Sequence, residues 1–103
     1  MQAVAERIAT RSPGVKVLCA YLEIGAPDLD QATSEMLQSG ACRISIVPLF
    51  LGSGKHVRED VPRLVSELLR KHIGARIALK PAIGEDERVL DLLSNIALEG
   101  LEI

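Results

Sequence analysis

Apolar residues recur along this chain with two periods, and each change of period marks an expected change of element. In residues 2–11, QAVAERIATR, the residues Ala5, Ile8 and Ala9 fall at helical spacing and Val4 and Ile8 stand one turn apart, before the stop Ser12-Pro13-Gly14. VKVLCAYL at residues 15–22 is almost continuously apolar, the pattern of a strand covered on both faces and therefore of a parallel sheet. Asp28 followed by Gln31 predicts a capping box, with Leu29, Ala32, Met36 and Leu37 as the buried stripe of the helix and Gly40 as its stop.

CRISIVPLFL at residues 42–51 predicts a second strand, with Pro48 near its carboxyl end, where a lost ladder bond is tolerated. Val61, Leu64, Val65, Leu68 and Leu69 predict an amphipathic helix with Asp60 at its N-cap and Pro62 in its first turn, stopped at Gly74. ARIALKPAI at residues 75–83 alternates Ile77 and Leu79 with Arg76 and Lys80, as an edge strand does. Residues 85–100, EDERVLDLLSNIALEG, predict a last helix with Val89, Leu92, Leu93 and Ile96 facing inward and acids at its positive end.

The order α-β-α-β-α-β-α predicts an α/β protein: a three-layer open parallel sheet with helices on both faces, formed by residues 1–103 as a single domain. One feature is unusual for that class, since the chain starts on a helix with no strand before it.

Composition narrows the function. A net charge of -2, one Tyr and one Phe leave neither a basic face for phosphates nor a stacking platform, so nucleic acid is not an expected partner. No apolar run reaches the ~18 residues of a membrane span and no signal-peptide layout is present, so the expectation is no membrane partner and a cytoplasmic location. Cys19 and Cys42 lie inside apolar runs and read as reduced thiols rather than a disulfide or metal pair.

Ligands of open parallel sheets bind outside the carboxyl ends of the strands, which directs attention to the loops Glu23–Pro27, Gly52–Arg58 and Pro81–Glu85. The middle loop does not fit a nucleotide-binding loop, because Gly54-Lys55 is followed by His56 instead of Ser or Thr and Leu49 stands where the first glycine belongs. His56 follows a Gly-x-Gly turn at a strand tip, where backbone freedom lets a side chain enter the crevice. Neutral imidazole suits a borderline divalent ion; Glu23 is an oxygen ligand, a proton acceptor or a solvated loop carboxylate, and the residues alone leave these open. His72, beside Arg70 and Lys71 in a last helical turn, reads as a dipole-stabilised cation.

YLEIGAPDLDQA at residues 21–32, VPLFLGSGKHVREDVPRL at 47–64 and KPAIGEDERVLDLL at 80–93 together resemble the small class II chelatases of the CbiX/SirB type, the sirohydrochlorin cobalto- or ferrochelatases. The resemblance implies a flavodoxin-like topology and insertion of a divalent metal, cobalt or iron and in some members nickel, into sirohydrochlorin for cobalamin or siroheme biosynthesis. The metal is then a substrate, with no organic cofactor, and the small members pair as homodimers. His56 matches one of the family's two metal-binding histidines, and Glu23 matches the carboxylate that helps hold metal or accepts pyrrole protons. Gly52, Gly54, Lys55 and Arg58 are the candidates to receive the carboxylates of the tetrapyrrole.

The family's amino-terminal strand and its His-Gly-Ser segment have no counterpart here, so the resemblance implies an N-terminally incomplete domain whose first strand, central in the family's sheet, is missing. The competing expectation is a non-catalytic metal- or tetrapyrrole-binding remnant, or a partner subunit of a chelatase.

Overall fold

The computed structural model describes residues 1–22, 25–52 and 55–101, and of Lys55, His56 and Val57 it describes the backbone. In chain order the elements are α1 (Gln2–Arg11), α2 (Leu29–Gln38), β1 (Arg43–Ile46), α3 (Lys55–Lys71), β2 (Arg76–Leu79), a 3-10 turn (Ile83–Glu85) and α4 (Glu87–Leu98). The described residues thus form an α/β structure with four helices and one sheet of two strands in the order β1-β2. The chain divides into two compact units, residues 1–44 with 68–76 and residues 45–67 with 77–103.

In the first unit the local signals act as expected. The Asp28 carboxylate accepts from the Gln31 amide at 2.8 Å and the Gln31 side chain accepts from the Asp28 amide at 2.9 Å, so two donors at the α2 start are satisfied reciprocally. Ala32 and Thr33 are buried, and the Thr33 hydroxyl finds its acceptor on the preceding turn, donating to the Leu29 carbonyl at 2.8 Å. Gly40 closes the helix with a φ of 97°, a left-handed conformation that a side chain disfavours.

The strand expected at 15–22 does not form. Residues 16–20 belong to no ladder; only Tyr21 pairs, in an isolated parallel bridge with Asp28. Apolar content specifies what a strand would bury, but a strand exists only when a neighbour accepts its backbone bonds, and none of the described residues does so here.

The end of α3 is tied to the start of α2. Lys71 donates to Asp30 at 2.6 Å, and the His72 Nε2 stands 3.7 Å from the other Asp30 oxygen. Asp30 and Lys71 each complement the dipole of their own helix, an acid in a first turn and a base in a last turn. The hydrogen bond from Lys71, followed by its charge and by His72, holds the Asp30 carboxyl below its ordinary value against a smaller desolvation effect. A depressed folded-state pKa stabilises the fold above the ordinary carboxylate range and loses that contribution as pH falls through the folded value. The pair is half exposed and screened, so the effect is small. In urea titrations carried from neutral pH to about pH 2, Asp30→Asn should be less stable than the parent at neutral pH, and the two should converge in acid. Curves that stay parallel would remove Asp30 from the account of acid sensitivity.

The strands are parallel in register: Arg76 donates to the Cys42 carbonyl at 3.1 Å and Lys80 to the Ile46 carbonyl at 2.9 Å. β1 is shorter than the expected 42–51. Pro48 has no amide to donate, and past Ile46 the carbonyls turn to the 3-10 segment, with Pro48 accepting from Ile83 at 2.9 Å and Phe50 from Gly84 at 2.8 Å. Nor is β1 covered on both faces, since Ile44 is buried between the exposed Arg43 and Ser45. β2 alternates as expected, with Ile77 and Leu79 on its more buried face.

Helix α3 starts at Lys55, five residues before the expected N-cap Asp60, which instead lies within the helix 3.4 Å from Arg63. Pro62 therefore sits inside the helix, and the position four residues before it, Arg58, loses the usual amide partner of its carbonyl. Val61, Val65 and Leu68 form the buried stripe of α3, at the spacing of successive turns.

At α4 the Asp86 side chain caps the helix by accepting from the Arg88 amide at 2.9 Å, and it holds the Arg88 guanidinium at 3.0 and 2.7 Å. These bonds, the guanidinium first, pull the Asp86 carboxyl down to about 2. The inward stripe expected for this helix is not inward: Leu92, Leu93 and Ile96 are exposed, at 58%, 41% and 52%, and only Val89 is partly covered. Periodicity identifies the apolar face of a helix, but whether another element lies on that face is a tertiary matter.

Candidate functional site

The second unit collects side chains where β1 and β2 end. Past Ile46 the chain runs through Pro48 and Phe50 to Leu51, and past Leu79 it runs through Pro81 into the Ile83–Glu85 turn. Both runs leave the sheet at the carboxyl ends of parallel strands, the side on which such sheets bind ligands. The two backbone bonds from Ile83 and Gly84 join these runs, and between them lies a cleft of about 170 Å³ lined by Phe50, Leu51, Arg58, Ala82, Gly84 and Glu85.

Arg58, one of the residues expected to receive substrate carboxylates, reaches this cleft from the first turns of α3. Its planar guanidinium is a bidentate partner for a carboxylate. Glu85 and Phe50 line the same cleft. The loop named in the sequence as Gly52–Arg58 is thus partly helix: Lys55, His56 and Arg58 belong to α3 rather than to an open turn. The backbone places His56 as the second residue of that helix, so its position is set by helical geometry and not by glycine freedom. Gly52 lies in the described turn after β1 and is exposed, and a Cβ built on it would meet nothing within 4 Å.

Glu23 and Gly54 lie outside the described residues, as do the side chains of Lys55 and His56. The approach to Glu23 is described on both sides, in the first unit. Tyr21 donates to the Pro27 carbonyl at 3.0 Å, and Gly25, with a φ of 132°, lies against the Tyr21 ring, so the ends of this loop are drawn together. Among the described residues no group of three or more His, Cys, Asp or Glu is placed to hold a metal ion.

The third loop, whose charges 85–88 read in the sequence as a solvated helix start, contributes to the cleft. The structure puts Gly84 and Glu85 into the cleft wall and turns Asp86 away to Arg88 as a helix cap. A glycine two residues before an N-cap at a strand's carboxyl end was the available signal. His72 stands at the end of α3 beside Asp30 and is not among the residues that line the cleft.

Fold and cleft together define an α/β protein that presents a small polar pocket at the carboxyl ends of paired parallel strands. The sequence profile of the CbiX family matches residues 1–99, and the chain belongs to that family. It is 31% identical to a sirohydrochlorin cobaltochelatase of Sulfolobus acidocaldarius over 99 residues, covering 96% of this chain and 76% of that protein. Against a sirohydrochlorin cobaltochelatase of Methanosarcina barkeri it is 35% identical over 107 aligned positions, covering 95% of this chain and 81% of the relative. Its fold is similar to a crystal structure described as a CbiX protein of cobalamin (vitamin B12) biosynthesis from Marinobacter aquaeolei VT8, with a TM-score of 0.75 and 28% identity over 97% of this chain and 83% of that one. Among the described residues no helix is long and apolar enough to cross a membrane.

Proposed function

We propose that this protein is a sirohydrochlorin chelatase, a lyase-class enzyme that inserts cobalt or iron into the tetrapyrrole for cobalamin or siroheme biosynthesis. The observation that carries this reading is the similarity to sirohydrochlorin cobaltochelatases along 96% of the chain, which includes the segments on either side of the cleft. A 30% match over 73 residues to a sirohydrochlorin ferrochelatase of Priestia megaterium, covering 71% of this chain and 27% of that protein, keeps iron beside cobalt as the metal substrate.

Metallation needs a loosely held M²⁺, removal of its water and loss of two pyrrole N–H protons, to a carboxylate and on to solvent. His56 is assigned to the metal, since an imidazole holds a borderline ion without the grip of a thiolate cage. Glu23 is assigned as an oxygen ligand and proton acceptor. Arg58 in the cleft, Lys55 at the start of α3 and the amides of Gly52 and Gly54 receive substrate carboxylates, and no organic cofactor takes part. Residues 1–103 belong to a single chelatase-like domain of the three-layer class, a reading supported by the match of one family profile to residues 1–99. Association as a homodimer is supported by the exposed apolar face of α4.

The test is direct. The chain mixed with metal-free sirohydrochlorin and Co²⁺, or Fe²⁺ under anaerobic conditions, should change the tetrapyrrole's visible spectrum faster than the spontaneous reaction. Binding of both substrates with no acceleration would instead support a non-catalytic tetrapyrrole binder.

A further inference from the structure

Among the described residues four glycines have left-handed backbones, Gly25, Gly40, Gly74 and Gly100, and Gly84 is not one of them. Any L-residue could adopt its φ, so the requirement for glycine at 84 does not come from torsion. It comes from space. A Cβ built on Gly84 would overlap the Leu51 carbonyl oxygen, and it would lie 2.6 Å from the Leu51 carbonyl carbon and 2.9 Å from its Cα. All three are backbone atoms, which cannot rotate away as the tip of a side chain does.

The contact is part of a docked interface between two pieces of main chain. Ile83 and Gly84 donate to the carbonyls of Pro48 and Phe50, and the next carbonyl along, that of Leu51, closes over the bare Cα of Gly84. Phe50 and Leu51 form one wall of the cleft and Gly84 with Glu85 the other, with Arg58 on the same lining. The separation of the two walls is therefore set at the one residue that has no side chain to hold them apart.

We propose, resting on the chelatase reading above, that Gly84 is a positioning residue for the tetrapyrrole. It touches no reacting atom; it keeps Phe50 and Leu51 close enough to the 83–85 turn for the cleft around Arg58 to fit a substrate carboxylate arm. Gly84→Ala pushes the Leu51 backbone away and widens or skews this seat, while the metal is handled elsewhere. The effect falls on one substrate and not the other, a split that a loss of stability would not produce.

The experiment is steady-state metallation with both substrates varied, comparing the parent chain, Gly84→Ala and Gly14→Ala, the last at a glycine with open space around it. Gly84→Ala should raise KM for sirohydrochlorin about tenfold or more, as displacement of a seat by about 1 Å does, with KM for Co²⁺ unchanged. Gly14→Ala should match the parent in both. A KM for sirohydrochlorin within twofold of the parent, or equal changes in both KM values, overturns the proposal. If Gly84→Ala does not fold, amide exchange on the parent chain decides: the Ile83 and Gly84 amides should slow when metal-free sirohydrochlorin is added, and unchanged exchange overturns it. A parent chain that does not metallate defeats the chelatase reading, whereas a parent that metallates no better than Gly84→Ala defeats this inference alone.

Discussion

His56→Ala should lower cobalt insertion about 10²-fold or more while the chain stays folded. His56 is the second residue of α3, and the buried residues described on that helix are Val61, Val65 and Leu68. Alanine leaves no donor atom for a divalent ion, and the assigned Glu23 carboxylate with water would then have to hold the metal near the tetrapyrrole. Because metal ligation is the assigned role, excess Co²⁺ should restore part of the lost rate, and His56→Gln, a poorer ligand of similar size, should stay low. Turnover at the parental rate in His56→Ala, with an unchanged melting temperature, would remove the histidine from the site.

Leu68→Ala is the substitution that should most damage the fold. Leu68 is 4% exposed, and the described residues bury only four other apolar side chains, Ala32, Ile44, Val61 and Val65. Truncating a buried leucine removes its transfer free energy and leaves a cavity, together about 3 kcal/mol. A small domain has only about 5–15 kcal/mol in total, so thermal unfolding should fall by more than about 10 °C. Its neighbour Leu69 is 43% exposed on the same helix, and Leu69→Ala should shift unfolding by only a small fraction of that. Equal losses at 68 and 69 would mean that the buried stripe of α3 has been misplaced.

Both expectations began as sequence patterns, and they met the structure differently. The stripe of α3 survived because the periodicity from Val61 to Leu68 is long and strong, although the start of the helix moved from Asp60 back to Lys55. Pro62 was the misleading residue. A proline fits a first turn best, but a helix of 17 residues with its stripe buried tolerates the one missing hydrogen bond. The cleft was half legible: Arg58 and the strand-end loops stood out, whereas Phe50, Leu51 and Gly84 acquired meaning only when two backbone segments met.

What could be read from the order of residues alone is what depends on neighbours a few positions apart. The Asp28-Gln31 box, the glycine stops at Gly40 and Gly74, and the apolar face of each helix are of this kind, because their partners lie within one or two turns of the same chain. Family membership was legible too, through segments that keep their order along the chain. Three outcomes needed the tertiary structure: residues 16–20 formed no strand, the apolar face of α4 stayed exposed, and Gly84 came to lie under the Leu51 carbonyl. Each depends on a partner distant in sequence, or on its absence among the described residues, and a residue's own chemistry states what it could bury or bond but not what will be there to meet it.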